Sequence, residues 1–325
     1  MPDLPSFDQL PVADGKPAGS AWGLWGDDDV LGCLNLVTAE RTKRGAACVR
    51  KGSVFALNLD MNLPDPPLFG RDAYTHEVVW LQNNAGHDEH ISGWNTQSSS
   101  QWDGFRHIRH PIHGFYNGVA DEDHGVNHWA RRGIAGRGVL ADVARWRERH
   151  GRPLAVNTSE PIEAADIRGT LDAQGVAVEP GDVLLIRTGW LAWYLSLDAD
   201  GRVAYNEQSH PTVGLRPGED NWRLLWDLHI AAVAADNPAL EVWPPAAFAT
   251  PERIQELLAT REHLDEIFMH IRLLPLFGLP IGEFFNLEAL ADDCAADGVY
   301  EFMFTSAPLN LPAGVASPPN ALAVK

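Results

Sequence analysis

The chain has 325 residues, 45% hydrophobic and 21% charged, a composition that supports a sizeable folded core and excludes a disordered chain. Its formal net charge of −19 excludes phosphate-backbone binding, which needs clustered Lys and Arg, so no nucleic-acid partner is expected. No apolar run reaches the roughly 18 residues that cross a bilayer, residues 1–10 carry no secretion pattern, and Cys33, Cys48 and Cys294 form no CxxC pair, which together predict a cytoplasmic protein without membrane partner, disulfides or a thiolate metal site.

Residues 1–29 are rich in Pro, Gly and Asp and read as an irregular arm whose Trp22 and Trp25 need cover, either on another subunit or by folding back. Thr38 is placed to cap a helix over 39–50, with Gly52 as its stop. Alternation predicts a strand over 53–59, a proline loop follows at 64–67, and 74–81 reads as a second strand. From 82 to 128 Gly, Asn, Ser, Gln and His dominate and no regular element is predicted; loops of such length are commonly functional. A strand over 138–143, a basic stretch at 145–152, a helix over 163–174 and a buried strand within 181–189 follow. Next come a helix over 220–228, a buried strand over 230–235 ending in Asp236-Asn237, and a helix over 251–263 with Pro251 in its first turn. Residues 269–276, 287–296 and 300–305 read as strand, helix and strand, and 308–325 as extended chain. With no internal repeat and no linker, this imperfect alternation predicts one mixed α/β domain over 1–325.

Histidine is the informative residue. Eight of the 13 fall at positions 76, 87, 90, 107, 110, 113, 124 and 128, inside or beside the polar region, a pattern that suits a metal or acid–base site as well as surface hydrogen bonding. If the segment 97–107 is extended, Gln97, Gln101, Asp103 and His107 share one face, because strand side chains repeat with period two. That face is either solvated or a site. A second polar pair, His270 and Glu283, brackets a run that is apolar apart from Arg272. These two either mark the surface ends of that run or meet Asp103, and in the second case carboxylates and an imidazole make an oxygen/nitrogen shell for Zn²⁺ or Mn²⁺.

At these residues the sequence resembles the cyclase family of metal-dependent hydrolases, which includes kynurenine formamidase and isatin hydrolase. The usual signature HxGTHxDxPxH aligns with Gln97 to His107, in a QWD-type variant. Further pieces are Trp25-Gly26, Tyr116-Asn117-Gly118, Arg187-Thr188-Gly189-Trp190, Asp236-Asn237, the run Leu279 to Glu283, and Ser317-Pro318-Pro319-Asn320. The resemblance implies a barrel-like β-sheet of the swivelling β/β/α kind, a homo-oligomer (dimer or tetramer), and hydrolysis of the C–N bond of an amide, formamide or lactam. It places Asp103, His270 and Glu283 as metal ligands and His107 as general acid/base, with Trp25 over a small-molecule substrate. Trp102 and Phe105 lie within the signature, where they either suit a flat substrate or belong to the core.

The signature's two histidines are Gln97 and Gln101 here, and an amide oxygen is a weaker ligand than imidazole. One divalent cation per chain is therefore expected rather than two, Zn or Mn, with Mg or Ca also suited to amide oxygens. His110 and His113 stand close enough in sequence to serve as replacement ligands. The rival readings are a lyase or dehydratase on the same residues, a metal-free binding protein, and a serine hydrolase using Ser98, Ser99 or Ser100, against which the lack of a GxSxG elbow speaks.

Overall fold

The computed structural model describes residues 4–245, 250–260 and 267–325. In chain order its strands are β1 Val54–Ala56, β2 Thr75–Trp80, β3 His87–Ser92, β4 Gln101–Asp103, β5 Ile134–Asp142, β6 Pro161–Ile162 and β7 Val183–Arg187. Gly214–Leu215 is β8, Ala232–Ala235 β9, Ile281–Glu283 β10, Glu301–Ser306 β11, Ala316–Ser317 β12 and Ala321–Val324 β13. Nine of them build one curled sheet, half a barrel, in the order β1-β13-β11-β5-β7-β9-β10-β4-β12. This is the single mixed α/β domain that the sequence predicts.

The centre of the sheet, β5, β7, β9 and β10, is parallel. Val183 to Ile186 of β7 and Ala232 to Ala235 of β9 are all buried, as strands covered on both faces must be, which is why they read as continuous apolar runs. Helices carry the crossovers, among them Ala164–Gln174 and Glu219–Asp227. No helix among the described residues is long and apolar enough to cross a membrane.

Thr38 does cap the first helix, its side chain accepting from the Arg41 amide at 3.4 Å, but the helix runs Ala39–Ala46 and stops short of residue 50. The helix packs tightly on β5 at Gly45, where a Cβ would stand 2.4 Å from the Gly136 backbone. The basic stretch is also a helix, Val143–Arg149, capped by Asp142. The helices Trp190–Ser196 and Ala199–Asn206 were not predicted.

Two expectations fail. Residues 269–276 are not a strand but the short helix Met269–Arg272 followed by a π turn, Leu273–Phe277. Every side chain of that turn is buried, and an apolar run buried all round carries no period to separate helix from strand. Nor is 82–128 structureless: β3 pairs with β2 in an exposed hairpin, β4 lies inside the main sheet, and Val126–Arg132 is helical. The first strand of that hairpin is the one predicted over 74–81; the second, β3, escaped because every residue of it is exposed, so no buried face marks it. The end of the helix expected over 251–263 lies outside the described residues; Pro251–Thr260 is helical.

The arm lies on its own chain. Trp226 Nε1 donates to the Pro5 carbonyl at 2.8 Å, Arg223 pairs with Asp8 at 2.6 Å, and the buried Trp22 donates to the Pro275 carbonyl at 2.6 Å.

The pairing of β4 with β10 positions the site. Gln101 stands opposite Glu283, Trp102 opposite Gly282, and Asp103 opposite Ile281. Alternation therefore points Gln101, Asp103 and Glu283 to one face and Trp102 to the other. On that other face a Cβ at Gly282 would meet Ala234 and Phe285 at 2.6 Å and Trp102 at 2.9 Å. Gly282→Ala is expected to destabilise the fold by about 1–3 kcal/mol through overpacking; a thermal melt superimposable on wild type would refute this.

Candidate metal centre

The segment around β4 is extended only at Gln101–Asp103. Its two ends reach the site by turning rather than by alternation. Before the strand, the Gln97 amide donates to Asn95 Oδ1 at 2.9 Å; after it, the His107 amide donates to the Gly104 carbonyl at 2.9 Å. Gly104 admits no side chain, since a Cβ there would stand 2.5 Å from the Val315 carbonyl oxygen. The turns bring Gln97 Nε2 within 2.8 Å of Asp103 Oδ1 and 3.0 Å of His107 Nδ1. His107 Nε2 stands 4.0 Å from Asp103 Oδ2.

His270 comes from the short helix before the π turn. Its Nε2 lies 3.4 Å from Asp103 Oδ2 and 3.2 Å from Glu283 Oε1. The opposite ring nitrogen, Nδ1, sits 2.8 and 2.9 Å from the two oxygens of Glu241, a fully buried carboxylate. Sequence reasoning missed Glu241. The signal was there: one acid inside the apolar stretch Ala239 to Trp243, which is costly to bury without a partner. Glu241 fixes Nδ1 as the protonated nitrogen and aims Nε2 at the carboxylates, the arrangement typical of metal-binding histidines.

The charges are tightly opposed. Burial works against charge on His270, yet Glu241, Asp103 and Glu283 overcome it and hold the imidazole well above its usual range. Burial and the neighbouring Asp103 push Glu283 up to about 7. Burial would raise Asp103 as well, but His107, His270 and Arg71 bring it below the ordinary carboxylate value. His107 is lowered, mainly by burial, with Asp103 opposing. Its neutral form therefore prevails near neutral pH.

These residues fit a divalent cation. Two ligands about 2.1 Å from one tetrahedral ion sit roughly 3.4 Å apart, matching the 3.4 and 3.2 Å around His270 Nε2. The Gln101 amide N–H donates to Glu283, while its buried amide oxygen has no hydrogen-bond partner among the described residues, an uncommon and costly state that a cation would relieve. Asp103, His107 and His270 each offer a ligand atom within 4.8 Å of the others.

Other candidates lie elsewhere. His110 and His113 pair with each other, ring centroids 4.5 Å apart, with His113 edge-on to Trp22, and neither joins the converging group. The Ser98, Ser99 and Ser100 hydroxyls donate to the carbonyls of Asn95, Asp60 and Phe284, which leaves none poised as a nucleophile. Trp102 is a core residue against Phe285 and Phe304, its Nε1 on Ser306. Phe105 is buried among Tyr116, His124 and Trp129. Trp25 lines a small apolar space with Leu4, Trp226 and Leu279, under the arm, and not the cleft above the centre. That cleft, about 90 Å³, has Phe69, Arg71, Trp243 and Phe268 on its walls, with His107, His270 and Glu283 reaching into it.

The Cyclase family model, described as "Putative cyclase", matches residues 46–242. The chain belongs to the cyclase family. A crystal structure of a novel cyclase is 31% identical, with TM-score 0.76 over 94% of this chain and 99% of that one. Isatin hydrolase A from Labrenzia aggregata, bound to benzyl benzoate, superposes with TM-score 0.53 at 18% identity over 86% of this chain and 94% of its own. The enzyme of that name from Ralstonia solanacearum gives 0.56 at 16% identity over 88% and 95%. Among curated proteins none matches the chain. Two of the sequence motifs support each other: Asp236 accepts from the Thr188 amide and hydroxyl, both at 2.7 Å, and from the Gly189 amide at 2.8 Å. Arg187 beside them bridges Asp142 and Glu288. These motifs hold strand ends together and stand back from the chemistry.

Proposed function

We propose that the protein is a metal-dependent hydrolase that cleaves the C–N bond of a small amide, formamide or lactam. The observation that carries this reading is the convergence of Asp103, His270 and Glu283 around one point, with the His107 imidazole 4.0 Å from Asp103. Asp103, His270, Glu283 and the amide oxygen of Gln101 would hold one divalent cation, Zn or Mn by the imidazole and carboxylates, Mg or Ca by the oxygens alone. When bound, such an ion lowers the pKa of water toward neutrality and polarises a carbonyl.

The protein's own residues supply the rest. Neutral His107 takes a proton from the attacking water at Nε2 and returns it to the leaving nitrogen, so that amide and water become a carboxylic acid and an amine. For Nε2 to act as the base, the proton of neutral His107 must sit on Nδ1 and be donated to the Gln97 amide oxygen, which needs the Gln97 amide, here turned with its nitrogen 3.0 Å from Nδ1, to be reversed. Glu241 keeps His270 oriented. The aromatic walls of the cleft suit a flat substrate.

The test is elemental analysis of protein purified without chelator, followed by product analysis on a panel of amides, lactams and lactones. One Zn or Mn per chain, lost in Asp103→Ala and His270→Ala, is the expected result. Protein that stays metal-free after reconstitution refutes it, and a product gained or lost by one water at carbon replaces hydrolase with lyase. A homo-oligomer, dimer or tetramer, and a cytoplasmic setting belong to the same reading. The exposed Val78, Trp80 and Ile91 of the β2–β3 hairpin support the first, and three buried free thiols the second.

A further inference from the structure

Arg71 is the one residue of the cleft wall whose charge the proposed chemistry does not use. Its guanidinium carbon lies 5.4 Å from the centroid of the Phe69 ring, and one nitrogen donates to the Gln97 carbonyl. Among the described residues no carboxylate pairs with it. Three enclosed arginines do have acids: Arg137 pairs with Asp182 and Glu301, Arg147 with Glu160 and Asp166, and Arg187 with Asp142 and Glu288, whereas Arg202, held like Arg71 by one carbonyl and one aromatic ring, does not line the cleft. In a chain of 44 acidic and 25 basic residues, an arginine left without an acid has escaped abundant partners. A guanidinium has five N–H donors in a rigid fork that matches a carboxylate, and among the described residues only one N–H of Arg71 has an acceptor. The stack on Phe69 and the bond to Gln97 fix the fork before any ligand arrives, which lowers the cost of ordering it on binding.

We propose that Arg71 is the specificity-determining anchor of the cleft, and that the substrate carries a carboxylate which the Arg71 fork receives while its ring packs on Phe69, Trp243 and Phe268. This rests on the hydrolase reading for the word substrate, but the anion site stands on its own geometry. It also accounts for a basic group beside a centre otherwise lined by Asp103, Glu241 and Glu283: a carboxylated ligand approaching those acids needs a counter-charge, and Arg71 is placed to give it.

The experiment compares phenylacetate with phenylacetamide, two ligands of one shape and different charge, by quenching of intrinsic tryptophan fluorescence in the metal-loaded enzyme. Phenylacetate is expected to bind about 10- to 100-fold more tightly, as for one charge-assisted bidentate contact. Arg71→Met should bring the ratio close to one, and Arg71→Lys, which keeps the charge and loses the fork, should give an intermediate ratio. Thermal melts and metal content of both variants report folding, and if Arg71→Met does not fold, Arg71→Lys decides alone. A ratio near one in wild type overturns the proposal. So does a ratio unchanged by the substitutions and abolished in His270→Ala, which would put the carboxylate on the cation. Because binding is read without turnover, an inactive hydrolase leaves the proposal intact; a working hydrolase that binds both ligands alike overturns the proposal alone.

Discussion

Replacing His107 by Ala is expected to cut turnover by about 10²- to 10⁴-fold, the range for removing a positioned general base, while the cation content stays at one per chain. The geometry separates these two readouts. Asp103 and Glu283 approach His270 Nε2 at 3.4 and 3.2 Å, the spacing of ligands on one ion, whereas His107 stands off at 4.0 Å from Asp103. His107 is also partly open to the cleft, where a substrate arrives, and Asp103 is fully buried. The pH dependence follows from the same surroundings. Burial lowers the His107 pKa below its ordinary 6.5, and a nearby cation would lower it further, so the base form is present at neutral pH. Activity should therefore fall with acid through a midpoint below 6.5 and hold on the neutral side, and His107→Ala should remove that limb from the residual kcat/KM profile. Metal lost together with activity in His107→Ala would make it a ligand instead.

The second large effect is expected at Glu241, which touches neither substrate nor cation. Its two oxygens hold His270 Nδ1 at 2.8 and 2.9 Å in a fully buried setting. Glu241→Gln keeps an oxygen acceptor but removes the charge, and should weaken cation binding about 10- to 100-fold, as for other partners of metal-binding histidines. Glu241→Ala leaves His270 buried among unbalanced neighbours and should also cost about 3–5 kcal/mol of stability. Competition against a chelator of known affinity measures the first, denaturant titration the second. Wild-type affinity in Glu241→Gln would reduce Glu241 to a packing role.

What the sequence made legible was whatever has a local signal. Buried parallel strands such as Val183–Arg187 show as apolar runs, and Thr38 shows as a cap because its partner is three residues away. The centre was legible in part for the same reason, since Gln97, Gln101, Asp103 and His107 crowd one short segment. Period two, however, gave only half the cause of their convergence; Gln101 and Asp103 share a strand face, while Gln97 and His107 arrive through turns. Glu241 and Arg71 were not read because their meaning is wholly long-range. Glu241 acts on a histidine 29 positions away and Arg71 on a carbonyl 26 away, and neither spacing corresponds to any helix or strand period. Trp102 and Phe105 show the opposite error, since nearness in sequence to a site suggested contact with it, and packing put both elsewhere; Trp25, placed over the substrate by the family resemblance, lies under the arm instead.

The contact between Asp103 and His270 spans 167 positions of chain. An ion held by both would be a reversible cross-link closing that loop, and closure removes freedom chiefly from the unfolded chain, growing only slowly with loop length. The ends of such a loop must find each other before the ion can grip them, so the cross-link would form late in folding and come undone early in unfolding. Chelation would then act as a mild denaturant with its own time course. Preparations that differ only in metal load would differ in shelf life and protease resistance long before they differ in shape.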